Sequence, residues 1–312
     1  MNGRTMASSE TPAEITTPTE ITKAVERSFG DTSDPRLREV LQALVRHLHG
    51  FISEVSLTEE EWRRAVECLT ATGHITDDRR QEWILWSDAL GVSMLVDALA
   101  HPVRGGETES TVLGPFFVPN SPLRASGDRL DEMPSGEPAW IHGRVFSTDG
   151  RPLAGAELDV WQNGDNELYA VQDPEAPEDH LRGRFITDEN GAYDFVAVRP
   201  TPYPIPYDGP VGAMLAATGR HPWRPAHIHM IVRAPGHASV TTHIFDRESK
   251  YIDSDAVFAV KPSLLRGFES RAADDPERPR GIDPGPWWSL ESDFALAPAD
   301  EPGEPVDPGR TA

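Results

Sequence analysis

The chain has 312 residues, 38% hydrophobic and 26% charged, a mix that can bury a core in one large or two modest domains. Its formal net charge of -22 argues against nucleic acid or an anionic membrane as partner, and its single cysteine, Cys68, excludes an internal disulfide and a thiolate metal cage. No run reaches the ~18 apolar residues of a membrane span, and the N-terminus lacks a signal-like apolar run, so the expected location is the cytoplasm.

Residues 1–20 are rich in Thr, Ser, Pro and Glu and are expected to be a disordered tail, with Met6 a second candidate start. From Pro35 to Val55, Leu37, Val40, Leu41, Leu44, Val45, Leu48, Phe51, Ile52 and Val55 recur at the spacing of one helix face. Thr58 to Glu61 (TEEE) forms a capping box opening a second helix, in which Cys68 reads as a buried small hydrophobe. A third helix is expected from Asp77 or Asp78, through Trp83, Ile84, Leu90, Met94 and Leu95, to about Ala100, where His101 and Pro102 stop it.

The pattern then shortens to that of strands. Trp140 to Phe146 alternates before a turn at Asp149-Gly150, and Ala156, Leu158 and Val160 face away from Glu157, Asp159 and Trp161. Phe185 to Thr187 enters a turn at Asp188 to Gly191 (DENG), and Tyr193 to Val198 leaves it. His227 to Val232 and Val240 to Phe245 are further strands. The expected fold class is α+β: a helical domain over 21–111, an antiparallel β-sandwich over 112–296, and an acidic, proline-rich tail over 297–312.

Three stretches carry chemistry. His227 and His229 stand two apart on a strand, so both imidazoles share a face and can reach one metal ion. Alone, such a pair also fits a structural role. The loop Arg199 to Pro210 (RPTPYPIPYDGP) is stiffened by its prolines and can hold Tyr203 or Tyr207 against a preference for solvent. The segment Trp161 to Tyr169 (WQNGDNELY) leaves a strand and ends in another tyrosine, so three of only five tyrosines lie in these two loops.

Together these motifs resemble the intradiol ring-cleavage dioxygenases, closest to the hydroxyquinol-cleaving branch. The matching pieces are Leu113 to Phe117 (LGPFF), Asp159 to Gln162 (DVWQ) on to Tyr169, Tyr203 to Pro210 (YPIPYDGP) and Arg224 to His229 (RPAHIH). The resemblance covers nearly the whole chain outside its tails. It implies one iron(III) per subunit, bound by Tyr169, Tyr203, His227 and His229, with Tyr207 not needed as a ligand. It implies that Tyr203 leaves the metal and takes a substrate proton, that Arg224 lies over the substrate ring, and that His243 stands behind the ligands near the substrate. It also implies a homodimer joined through the N-terminal helices, which in this family can hold a lipid between them.

The substrates implied are O2 and a small aromatic diol or triol. Leu85 to Asp97 (LWSDALGVSMLVD), Thr241 to Phe245 (TTHIF) and Tyr251 to Val257 (YIDSDAV) resemble the branch that opens hydroxyquinol (benzene-1,2,4-triol) to maleylacetate. In that reading Leu85, Asp88, Gly114, Pro115, Phe116, Ile205, Pro206, Arg224, His243 and Val257 contact the substrate. The alternatives are cleavage of catechol to cis,cis-muconate, a non-catalytic β-sandwich binding module, and an iron(II) or zinc site of histidines and a carboxylate. For the last, Met230 to Gly236 (MIVRAPG) supplies no carboxylate after the histidine pair.

Overall fold

The computed structural model describes residues 17–77, 80–133 and 136–299. Most of both expected tails, including Met6, and the candidate helix start Asp78 lie outside the described residues. The chain divides into two compact units, one up to Thr70 and one from Ala71 onward. By compactness the break thus precedes the expected border at 111/112.

The first unit is helical. Helix α1 (Pro18–Ser28) opens on a capping box, Thr17 accepting from the Glu20 N–H while the Glu20 carboxylate accepts from the Thr17 N–H. It begins three residues inside the stretch expected to be tail, because Thr17 and Glu20 supply a capping box that the overall composition of the segment does not reveal. Helix α2 (Pro35–Glu54) starts where expected, with Asp34 capping the Arg36 and Leu37 N–H groups. Thr22 to His49 (2.9 Å), Arg46 to Glu26 (2.8 Å) and Gln42 to the Glu26 carbonyl (3.0 Å) join the two helices. Helix α3 (Glu59–Ile75) opens on the expected Thr58–Glu61 box and carries Cys68 only partly buried, not enclosed as expected.

The expected third helix is two. Helix α4 (Glu82–Ala89) and helix α5 (Val92–Ala100) meet at 76°, with Gly91 at φ 72° between them. A left-handed residue breaks the hydrogen-bond ladder, and the apolar spacing alone does not reveal it. No single helix among the described residues is long and apolar enough to cross a membrane.

The strands, in chain order, are β1 (Pro138–Ser147), β2 (Glu157–Trp161), β3 (Arg182–Ile186), β4 (Ala192–Val198), β5 (Tyr203–Pro204), β6 (Trp223–Arg224), β7 (His227–Arg233), β8 (Val240–Asp246), β9 (Leu265–Arg266), β10 (Glu269–Arg271), β11 (Trp287–Glu291) and β12 (Phe294–Leu296); helix α6 (Pro210–Ala217) lies between β5 and β6. One sheet contains β10, β11, β1, β12 and β4; the other runs β3-β2-β7-β8-β9. The sandwich is mixed rather than antiparallel throughout: β1 pairs in parallel with β11 and β12, and β8 with β9. Those parallel partners come from the last part of the chain, where no strand was expected because the segments are short and interrupted by proline and glycine. Ile141, Phe195 and Leu290 of the first sheet share one core with Leu158, Ile228, Met230 and Ile244 of the second. Phe185 stacks on Phe195 across the gap, with centroids 5.0 Å apart.

This core decides where the histidines go. With Ile228, Met230 and Val232 turned into the sandwich, strand alternation sends His227, His229 and Ile231 to the opposite face. That face is covered too, by the loops carrying Phe116, Tyr169 and Tyr203 and by α4 and α6, so β7 is buried on both sides.

Candidate metal centre

Each donor is held by a different device. Trp161 lies opposite His229 in the β2–β7 register and stacks on it at 4.7 Å. Across the next strand, His229 pairs with His243. The His227 Nδ1 lies 2.7 Å from the Pro225 carbonyl, a bond that puts the ring proton on Nδ1 and turns an unprotonated Nε2 inward. Tyr169 ends the loop after β2, with its N–H bonded to Gln172 and its ring stacked 4.6 Å from Phe116. Asn163 at the start of that loop donates to Thr201 Oγ1 at 2.9 Å, tying it to the loop of Tyr203. Tyr203 and Arg224 are direct partners in the β5–β6 pair.

The donor atoms converge. Tyr169 Oη lies 3.0 Å from His229 Nε2 and 3.4 Å from His227 Nε2, and the two Nε2 atoms are 3.2 Å apart. Donors on a first-row ion at about 2.0–2.1 Å sit roughly 3.0–3.6 Å from one another when their angles at the metal are 90–120°. The three separations fit that range. The Tyr203 hydroxyl lies 3.4 Å from Arg224 Nη1, and its ring centroid is 5.5 Å from that of His227. Tyr169 and Tyr203 rings meet edge to face at 5.2 Å.

Burial and the neighbouring charges set the protonation states of the donors. Burial, then the Arg224 charge, hold His227 well below the ordinary histidine pKa; burial, then His227 and Arg224, do the same for His229. Both are neutral ligands ready for metal. Burial, then Tyr203, push the Tyr169 phenol well above its usual pKa. A phenol so placed ionises only if positive charge is brought beside it, as a bound ion does. The donors present, two phenols and two imidazoles, suit iron(III), because hard phenolates favour the ferric state.

A cavity adjoins Tyr203 and Arg224. Of the expected substrate contacts, Leu85, Asp88, Gly114, Pro115, Phe116, Ile205, Pro206, Arg224 and Val257 line it, joined by Val112 and Tyr203. His243 does not line it. It is buried behind the ligands, bonded through Nδ1 to Thr111, and its ring nitrogen belongs to a three-histidine cluster within 4.8 Å. Strand pairing with His229, rather than the cavity, sets its place. Gly114, at φ 78°, could not carry a side chain without pressing on His229, since a Cβ would lie 3.1 Å from its Cε1. Tyr207 is 61% exposed and takes no part.

Asp88 sits on α4 and is 5% exposed; burial raises its pKa, against the opposing pull of Ser93 and Arg224. Arg224 is buried as well: burial alone would lower its pKa, but Asp255, then Tyr203 and Tyr169, outweigh that and leave it above the ordinary value. Asp255 was missed by sequence reasoning. In so acidic a chain, nothing in the residue type marks one aspartate as buried.

Comparison with known proteins agrees with this geometry. Residues 112–284 match the family model described as "Dioxygenase", and residues 34–108 the one described as "Catechol dioxygenase N terminus". The chain is 48% identical over 284 residues to a hydroxyquinol 1,2-dioxygenase of Nocardioides simplex, covering 90% of this chain and 95% of the relative. The solved hydroxyquinol 1,2-dioxygenase of Pseudomonas putida DLL-E4 superposes with a TM-score of 0.86 at 46% identity, over 90% of this chain and 99% of that one. The catechol 1,2-dioxygenase of Pseudomonas arvilla C-1 gives a TM-score of 0.79 at 30% identity, over 91% and 93% of the two chains. With the motif-bearing loops gathered around one buried cluster of phenols and imidazoles, the chain belongs to the intradiol ring-cleavage dioxygenases.

Proposed function

We propose that this protein opens hydroxyquinol between its vicinal hydroxyl-bearing carbons, inserting both atoms of O2 to give maleylacetate. One iron(III) per subunit would be held by Tyr169, Tyr203, His227 and His229. When bound, that iron supplies Lewis acidity, drawing electron density from the ring so that carbon becomes reactive toward dioxygen. Tyr203, as phenolate, accepts a proton from one substrate hydroxyl; its position beside Arg224 supports its being the ligand that gives way. Arg224 stabilises negative charge that develops on the ring. Leu85, Ile205 and Val257 supply apolar walls that orient the ring and exclude water.

The observation that carries the substrate is Asp88, a buried carboxylate on the cavity wall. It can accept a hydrogen bond from a third hydroxyl, whereas catechol offers it no such donor. A hydrogen bond to a charged group is worth about 1.5–3 kcal/mol, roughly a 10- to 100-fold effect. Comparison of kcat/KM for hydroxyquinol and catechol in wild type and Asp88→Ala tests this. Wild type should prefer hydroxyquinol, and the substitution should remove about 10- to 100-fold of that preference. Wild-type preference for catechol, or selectivity untouched by Asp88→Ala, overturns the assignment.

The same reading includes a homodimer. Its support is the face of α2, where Leu37, Leu44, Leu48 and Phe51, with Val55 just past the helix end, are each about half exposed. A lipid held along that face is compatible with its apolar character.

A further inference from the structure

We infer that Asp255 is a positioning residue for ring cleavage, a buried clamp that selects which edge of Arg224 faces the reacting atoms and fixes the Val257 wall beside it. The inference rests on the proposed role of Arg224. Both side chains are 2% exposed, and their ion pair is two-pronged: Arg224 Nε donates to Asp255 Oδ1 at 3.1 Å and Nη2 to Oδ2 at 3.4 Å. With that edge of the fork engaged, Nη1 is the nitrogen left to face the centre, 3.4 Å from Tyr203 Oη and 3.2 Å from His227 Nε2.

The remaining capacity of the carboxylate goes to the backbone. Oδ1 accepts the Val257 N–H at 3.2 Å, and Oδ2 the Ala259 N–H at 3.0 Å. Between them Phe258 holds φ at 59°, a conformation a bulky residue adopts only when its surroundings impose it. Arg220 adds a second tie, donating to the Ala256 carbonyl at 3.0 Å and to the Ala89 carbonyl at 2.7 Å. The loop that carries Val257 is thereby joined to the end of α4, one residue from Asp88. One carboxylate thus sets the guanidinium and one wall of the cavity together.

The test uses the full chain as wild type, Asp255→Asn, Asp255→Glu, Arg224→Ala and the double variant Arg224→Ala/Asp255→Asn. In the iron-loaded enzyme Asp255→Asn should lower kcat by about 100-fold, the scale of a 1 Å misplacement, with a smaller change in KM. Iron content and the visible charge-transfer band should persist, because no metal donor is altered. Asp255→Glu should recover about tenfold of that loss. In the Arg224→Ala background the Asn substitution should cost about tenfold less than it does in wild type, since the part of its effect that runs through the arginine is already gone and only the part that runs through the Val257 loop is left. Losses that multiply in the double variant, or full activity in Asp255→Asn, overturn the proposal. Melting temperatures of the iron-free proteins test the clamp apart from the reaction. Asp255→Asn strands a buried cation and should melt lowest, and the double variant should melt above it; a double variant that melts no higher also overturns the clamp. A wild type inert toward both hydroxyquinol and catechol would instead defeat the reading of the reaction, and the melting series would still decide the clamp. If Asp255→Asn does not fold, Arg224→Ala compared with the double variant gives the same decision.

Discussion

On α2, Leu44, Leu48 and Phe51 are 57%, 49% and 53% exposed, whereas on β7 Ile228 and Met230 are wholly buried. The residue types are alike; what differs is whether the same chain supplies the opposite surface. The sandwich closes on itself twice, first between its sheets and then beneath the loops that cover the outer face of β7. Neither α1 nor α2 contains a fully buried residue. Chemistry needs the closed arrangement, since depressed imidazoles, an elevated phenol and a paired guanidinium all follow from loss of water. An open apolar face suits the proposed association, in which its cover would come from outside the chain.

The comparison breaks most completely at the densest point of the closed region. Tyr169→Phe removes the donor that lies within 3.4 Å of both imidazoles. The purified variant should lose the red-brown colour of tyrosinate on iron(III) and most of its metal. Its loss of metal affinity should exceed the roughly 10- to 100-fold that removal of an outer-sphere partner costs. Tyr203→Phe should lose activity while retaining more iron. Colour and metal analysis of the two proteins decide the matter; a colourless wild type, fully active with zinc, would remove the basis for iron.

Much of this was legible in the sequence, for reasons that differ by residue. Strand alternation alone put His227 and His229 on one face, and the positions of β1, β2, β4, β7 and β8 followed from their apolar period to within a few residues. Tyr203 and Arg224 were legible only through family motifs, because their meeting depends on a two-residue strand pair that no local pattern announces. The bend at Gly91 was hidden, since an apolar stripe reads the same through a break. Asp255 was hidden for a deeper reason: the charge that its burial requires comes from Arg224, 31 residues apart in sequence. Such pairwise facts belong to the tertiary structure.

A smaller effect separates charge inside the closed region from charge on the surface. Asp159 on β2 is 3% exposed, and its pKa is raised to about 6, chiefly by burial. A raised folded-state value means that the proton stabilises the fold. That stabilisation is complete below the unfolded carboxyl pKa of about 4 and is lost as pH rises through about 6. Asp159→Asn never ionises. Urea unfolding from pH 4 to 8 should therefore show the variant gaining on wild type by on the order of 2–3 kcal/mol, with most of the gain complete by about pH 7. Parallel curves for the two proteins would show that Asp159 is hydrated in solution.

The smallest effect on stability, and the sharpest on assembly, is expected on the open face. Leu44 and Leu48 are about half exposed on α2 and contribute little to the enclosed core, so Leu44→Glu/Leu48→Glu should shift the stability of the isolated subunit by no more than about 0.5 kcal/mol per site. Neither residue lies near the donors of the metal centre in sequence or belongs to the buried clusters around it. If the face joins two copies, two glutamates on each subunit place four like charges against apolar surface, where their desolvation is opposed by no counter-ion. Light scattering at micromolar concentration should then give about twice the 34.4 kDa chain mass for wild type and a single chain mass for the variant. Ring-opening per iron should be retained. A wild type that is already monomeric removes the dimer; a variant that stays dimeric moves the interface to other helices. A variant that becomes monomeric and also loses its iron would show that the open face and the closed region depend on each other, which the contrast between Leu44 and Ile228 does not allow.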